Sequence, residues 1–504
     1  MKSLEKTLEL YKQYRRKLLA YKYLNFITSW DLQTEAPEGS VVNTSRQLDV
    51  FAEESYRLNM DDKYIKCVET LYNNRDKIDE VTAHEVEVTY KDLQKLKNIP
   101  KDEFLKYQQL LNLAYPAYVK AKQSGDFNQF APILKQIVEF NKNLCKWQET
   151  ETLKGYNVLL DTYEPQYTTK EYDEFFDVLR TKLVPFVKKV VARKLQYNDS
   201  FVGKTFEVDK QRQYCEYIRD VMCFDKSRGL MKESEHPFTS GFGTDDIRIT
   251  VHYYPELVES AIFSAVHETG HALYEQQQDP SLNDTMCCGG ASLGLHESQS
   301  RFYENNIARS YSFWQVHFPR LKELFPEQLE GVTVDDFYKH VNRAECSFVR
   351  VEADELTYPL HIMLRYEMER KFIDGDLEVE DFSKYWNEAF TRYFGITPPD
   401  DRVGVLQDVH WACGNIGYFP TYALGSAIAA QLYHKMNEEF DVEESIRSGN
   451  TSKVNEWLKQ HIHKYGSSKY PKEILRLAVG EDFNPQYYVD YLINKYKVIY
   501  GIED

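Results

Sequence analysis

The sequence predicts a mainly α-helical protein, and three observations carry that expectation. Through roughly the first 230 residues, apolar side chains recur at three- and four-residue spacing, the period that gathers them on one helix face. Few stretches alternate with the period of two expected of a half-buried strand, and one of them is Asp246 to Tyr254, where Ile247, Ile249 and Val251 stand between Arg248, Thr250 and His252. A chain of 504 residues also suffices for one large helical unit with a deep cleft between lobes, or for two or three ordinary domains.

Taken in order, the N-terminal helical runs break at Asn98-Ile99-Pro100 and Ser124-Gly125-Asp126. Thr168 followed by Glu171 forms a capping box that opens a helix from Tyr172 to Leu195. After the strand, Pro255 opens a helix to about Gln278, a further long helix is expected near Thr333, and Asp400 to Pro420 reads as an extended loop containing glycine.

Composition excludes several classes of partner. With 62 Lys+Arg against 79 Asp+Glu the net charge is −17, and no dense basic block is present, which argues against nucleic acid or an anionic membrane. The 8 cysteines form no C-x-x-C pair, as expected of a chain in a reducing compartment. The first residues interleave charges with apolar positions, so no signal-peptide core is expected, and no apolar run is long enough to span a bilayer. A cytoplasmic protein is the expectation.

The helix after Pro255 contains His267-Glu268-Thr269-Gly270-His271, the H-E-x-x-H pattern, with two imidazoles one turn apart on one face. Val258, Ile262, Val266 and Leu273 form an apolar stripe, and the histidines fall roughly opposite it beside Ser260 and Ser264. The histidine face should therefore line a cavity. Glu275 continues that face but sits about 12 Å along the axis from His267, and three ligands in a row cannot surround one ion. A second helical pattern opens at Leu295-His296-Glu297-Ser298-Gln299 and offers Glu297 as the third ligand. Two histidines and a glutamate with an open fourth position are a catalytic zinc geometry. Glu268, beside His267, is placed to take a proton from an activated water. Ser298 and Ser300 read as ordinary helix residues because no G-x-S-x-G elbow accompanies them.

With these residues in view, the chain resembles the carboxypeptidase Taq family of zinc metallocarboxypeptidases. The motifs that carry the likeness are His236-Pro237-Phe238, Asp246 to Thr250 as D-x-R-x-T, the H-E-x-x-H at His267, and His296 to Gln299. Arg350 to Asp354 gives R-x-x-A-D, Gly404 to Trp411 gives G-x-x-Q-D-x-H-W, and Trp30-Asp31 with Thr34 and Pro37 matches near the start. The resemblance implies one two-lobed helical unit over residues 1–504, with a deep active-site groove and a small sheet beside the H-E-x-x-H helix. Residues 1–230 would form a groove wall, and 231–504 the catalytic part. It also implies a cytoplasmic homodimer, broad removal of C-terminal residues from peptides, and zinc, or sometimes cobalt, as the metal. His267, His271 and Glu297 are assigned to that metal, and Glu268 to general-base catalysis.

Other residues are candidates for substrate contact. The strand from Asp246 is expected to offer its edge to an extended peptide, with Arg248 or Thr250 facing the cleft, or else to pair Arg248 with Asp246. His236 is a candidate for metal support or substrate contact. Gln407, Asp408, His410 and Tyr422 should shape a cleft wall, with His410 or Tyr422 donating to the oxyanion. A free C-terminal carboxylate needs a fixed arginine, Arg350 first and Arg248 second; the alternative for Arg350 is a helical pair with Asp354 one turn away. A zinc endopeptidase or aminopeptidase shares the core motif, and a helical binding protein with an inert metal site is the alternative outside enzymes.

Overall fold

The computed structural model describes residues 2–503, and the architecture is helical throughout except for one three-stranded sheet. No helix among the described residues is long and apolar enough to cross a membrane. The N-terminal breaks fall as expected: helices Glu80–Lys97 and Lys101–Ser124 flank the first, and Gly125 closes the second in a left-handed conformation at φ 68°. The capping box at Thr168 and Glu171 is formed, but its helix does not reach Leu195. It runs Thr169–Val178, loosens into a π turn over Leu179–Leu183, and resumes as Val184–Val191, with Pro185 unable to donate a backbone hydrogen bond at the joint.

The sheet is made of β1 (Gly229–Glu233), β2 (Thr239–Phe242) and β3 (Asp246–Val251) in the order β1-β3-β2. β3 runs parallel to β1 and antiparallel to β2. Ile247, Ile249 and Val251 are fully buried, as their alternation predicts. The expectation that β3 offers a free edge is overturned, because it is hydrogen-bonded on both sides. The unpaired edges belong to β1 and β2.

The motif helix follows as Val258–Gln276, and its stripe of Val258, Ile262, Val266 and Leu273 is buried. The helix after Thr333 is only Val334–Val341 and so is not the long one expected. It stops at Asn342, whose amide turns back onto the Tyr338 and Arg309 carbonyls. Asp400 to Pro420 is a loop with one short turn, His410–Cys413, before the helix Pro420–Glu439. One apolar core runs from Ala114 to Tyr500, and a smaller one around Tyr11, Tyr64, Val68 and Val86 joins the first helix, Lys2–Thr34, to Asp62–Tyr72 and Glu80–Lys97.

Candidate metal centre

His267 and His271 stand with ring centroids 4.9 Å apart on the motif helix, and Glu297 faces them from the ligand helix Leu293–Arg301. Glu297 Oε2 lies 3.7 Å from His267 Nε2 and 3.6 Å from His271 Nε2. Ligands about 2.1 Å from a tetrahedral ion stand roughly 3.4 Å from one another, so this donor set fits one divalent cation. Among the described residues, these three form the one group of histidine, cysteine and carboxylate side chains that converges in this way. Glycines let neighbouring helices close on the one that carries Glu297: on the motif helix a Cβ at Gly270 would lie 2.8 Å from Ser300 Cα, and on the helix Pro420–Glu439 one at Gly425 would lie 2.7 Å from Glu297 Cγ.

Each imidazole is oriented through its other nitrogen. Glu304 Oε2 meets His267 Nδ1 at 2.9 Å, and Glu304 is itself held by Arg301 at 3.2 Å and Arg309 at 3.1 Å. Burial opposes charge on Glu304, but Arg301, the His267 contact and Arg309 hold its carboxyl well below the usual range. His271 Nδ1 meets His296 Nδ1 at 2.6 Å, and His296 Nε2 meets Glu275 at 2.7 Å. Burial, reinforced by the His296 imidazole, pushes His271 down to about 3, which keeps the ring neutral and able to donate its lone pair. Glu275, excluded as a third ligand by its distance along the helix, thus acts at the far end of this chain. Ser298 and Ser300 bond back to the Leu295 and Glu297 carbonyls, as ordinary helix residues do.

Glu268 is 7% exposed, and its Oε2 accepts a hydrogen bond from Thr239 Oγ1 at 2.6 Å. Burial raises its carboxyl above the usual range. Thr239 pairs with Ile249 in the β2–β3 register, so both face the motif helix, whereas Arg248 pairs with Ser240 on the opposite face. Arg248 is therefore turned away from the histidines: it forms two 2.7 Å bonds to Asp246 and lies over Phe26 and Trp30 of the first helix. Thr250 is fully buried and accepts from Phe238 N, so it does not face the cleft. His236 is exposed in the turn before β2, and its carbonyl accepts from Ser234.

Glu268 and Glu297 line a groove of about 810 Å³ that extends to Arg350, Tyr358 and Tyr422. Arg350 is 7% exposed and sits in a single turn, Arg350–Glu352. The helical pairing with Asp354 is absent; Asp354 instead accepts from the amides of Glu345, Leu356 and Thr357. Arg350 bonds Asp408 at 2.9 and 3.1 Å, and Arg365 grips the second oxygen of the same carboxylate. Although burial opposes it, the two guanidinium groups hold Asp408 far below the usual carboxylate range. Gln407 accepts from the Arg350 backbone at 2.9 Å and donates to the Phe348 carbonyl, so it braces the arginine from behind. His410 Nε2 lies 3.3 Å from Tyr422 Oη; burial pushes His410 down to about 4 and keeps Tyr422 protonated.

The structure thus gathers His267, Glu268, Glu297, Arg350 and Tyr422 on one groove, with His271 beside Glu297, keeps Gln407, Asp408 and His410 just behind it, and leaves Asp246 and Arg248 on the far face of the sheet. Thr239, Arg301, Glu304, Arg309 and Arg365 are assigned no role in the sequence analysis. Glu297, Arg301 and Glu304 follow the i, i+4, i+7 spacing of one helix face, a signal that was present. Thr239 has no such signature.

Paired imidazoles, a crossing glutamate and a buried free carboxylate opening on a groove define a metallopeptidase centre. The family model for carboxypeptidase Taq (M32) metallopeptidases matches residues 10–496, and the chain belongs to that family. It is accordingly a metallocarboxypeptidase. It is 39% identical over 475 residues to carboxypeptidase 1 of Bacillus subtilis, covering 94% of each chain. It is 33% identical over 490 residues to thermostable carboxypeptidase 1 of Pyrococcus furiosus, covering 95% and 96%. A solved structure of Pyrococcus furiosus carboxypeptidase superposes with a TM-score of 0.93 at 33% identity, covering 97% of this chain and 99% of that one.

Proposed function

We propose that this enzyme uses zinc, held by His267, His271 and Glu297, to release single C-terminal residues from peptides with broad specificity. The observation that carries the reading is the convergence of three ligand atoms beside Glu268 in a groove that leads to a cationic arginine cluster. Held by these three residues, zinc would supply a water of pKa about 7 and a Lewis acid for the scissile carbonyl. Cobalt is a workable substitute in the same donor set.

Glu268 takes the proton of the attacking water and passes it to the leaving amine. Thr239 fixes the direction of that carboxylate through its 2.6 Å bond. Tyr422, oriented by His410, donates to the oxyanion. Arg350 and Arg365 share the single carboxylate of Asp408, and the surplus positive charge receives the peptide's terminal carboxylate at Arg350. Gln407 and Asp408 position Arg350 rather than touch substrate. The free edge of β2 takes over the strand-pairing role first expected of β3. Asp246 and Arg248 brace that sheet on the first helix, and exposed His236, just before β2, is assigned to substrate contact. Residues 1–230 and 231–504 act as one unit, a reading supported by the core that crosses residue 230. A cytoplasmic homodimer belongs to the same proposal, carried by the family resemblance.

Mass analysis of products from a free peptide and its C-terminally amidated twin tests the direction of cleavage. Sequential loss of C-terminal residues from the free peptide alone is expected. Efficient internal cleavage of the amidated peptide would make the enzyme an endopeptidase.

A further inference from the structure

The short helix Tyr156–Tyr163 lies in the half of the chain with the fewest motifs, yet both its ends reach the elements that build the site. At its start, Tyr156 donates to Glu369 at 2.6 Å, and Glu369 also accepts from Trp411 Nε1 and Gly417 N at 2.8 Å each. These bonds hold the loop that carries Asp408 and His410. Just past its end, Glu164 accepts from Ser292 Oγ at 2.6 Å and from Gly294 N at 2.7 Å.

Ser292 is the N-cap of the ligand helix, its Oγ accepting from Leu295 N at 3.1 Å. The Glu164 carboxylate therefore closes on the first turn of the helix that carries Glu297. Amides there lack partners within the helix, and the positive end of its dipole favours an anion. The fit leaves no slack: a Cβ on Gly294 would lie 2.6 Å from Glu164 Oε2. Glu164 is 0% exposed, and burial pushes its carboxyl up to about 7 against the pull of these donors. The contacts at Gly270 and Gly425 fix how closely the ligand helix approaches its neighbours. The hydrogen bonds from Ser292 and Gly294 to Glu164 add a stop at its end.

We infer that Glu164 is a positioning residue for the metal centre, holding the ligand helix in axial register so that Glu297 meets His267 and His271. The inference rests on the assignment of Glu297 as a metal ligand.

Competition with a chromophoric chelator gives the zinc affinity of the full-length protein, and circular dichroism of the same samples reports folding. Glu164→Gln should lose roughly 10–100-fold in zinc affinity with its helical content unchanged. Glu369→Gln, an equally buried carboxylate on the helix Tyr358–Asp374, should keep the parent's affinity and so separates a specific effect from general softening. Parent affinity in Glu164→Gln, or equal losses in both variants, would overturn the inference. Glu297→Ala in the same titration tests the premise: if it binds zinc like the parent, the ligand assignment falls first and the positioning role with it. If Glu164→Gln fails to fold, Ser292→Ala, which removes the cap and one partner of Glu164, decides. It should weaken zinc binding, and unchanged affinity would sink the idea.

Discussion

The two ends of the groove are built on different plans. At the metal end, every proposed ligand and nearly every supporting side chain comes from residues 267–304, on two helices that meet at Gly270. At the arginine end, Arg350, Arg365 and Asp408 come from three separate segments and meet only in the folded chain. Their charge differs as well. Glu268, Glu297 and Glu304 leave the first end suited to a cation despite Arg301 and Arg309, whereas the second has two guanidinium groups for one carboxylate. On the proposed reading, bond-breaking is a local device and recognition of the substrate terminus is distributed over the fold.

The largest effect that sharpens this contrast is expected at Glu268. Glu268→Gln removes a proton acceptor and no ligand, so turnover should fall by ~10²–10⁴-fold while zinc content, read by elemental mass spectrometry, stays at the parent level. Loss of zinc would mean that base and ligand functions are not separable at this end. At the other end, Arg350→Ala should lower kcat/KM for free-carboxylate peptides by the equivalent of about 2–5 kcal/mol, again with zinc retained. Asp408 keeps Arg365 in that variant, so the buried carboxylate is not left without a partner. Equal losses on free and amidated peptides would remove Arg350 from terminus recognition.

Legibility in the sequence follows the same division. The H-E-x-x-H helix and Glu297 were readable because a 3.6-residue period fixes which side chains share a face, and because a row of three cannot enclose an ion. Glu304 continues the face of Glu297 and Arg301 at i+7, so the sequence carried its signal even though Phe302–Ala308 relax into a π-helix there. β3 was legible by alternation, but its neighbours were not: β1 and β2 span 5 and 4 residues, and β2 contains Gly241, too little for a period-two signal. That is why β3 was taken for an edge strand, and why Thr239 went unseen beside Glu268. Arg365 and the true partner of Arg350 depend on tertiary contacts between residues 43 and 58 positions from Asp408, which no local pattern encodes.

The smallest effect tests whether the arginine end also carries its own pH sensitivity. Glu369 is fully buried with three donors around it, and burial raises its carboxyl to about 7 despite them. An acid whose folded pKa lies above its unfolded value near 4.5 binds protons more tightly in the native state. Its stabilising contribution is therefore complete below about pH 4.5, declines as pH rises, and is gone above about pH 7, a change on the order of 3 kcal/mol. Buried histidines such as His317 and His463, held near 4 and 3 by burial, act in the opposite sense as pH falls, so the parent curve alone is not diagnostic. The difference between parent and Glu369→Gln isolates the carboxyl. Melting temperatures measured from pH 4.5 to 8 should show the parent losing ground to the variant up to about pH 7 and then running parallel to it. A difference curve flat across that range would mean that Glu369 stays ionised throughout, held by Tyr156, Trp411 and Gly417 as a permanent anionic brace beneath the His410 loop.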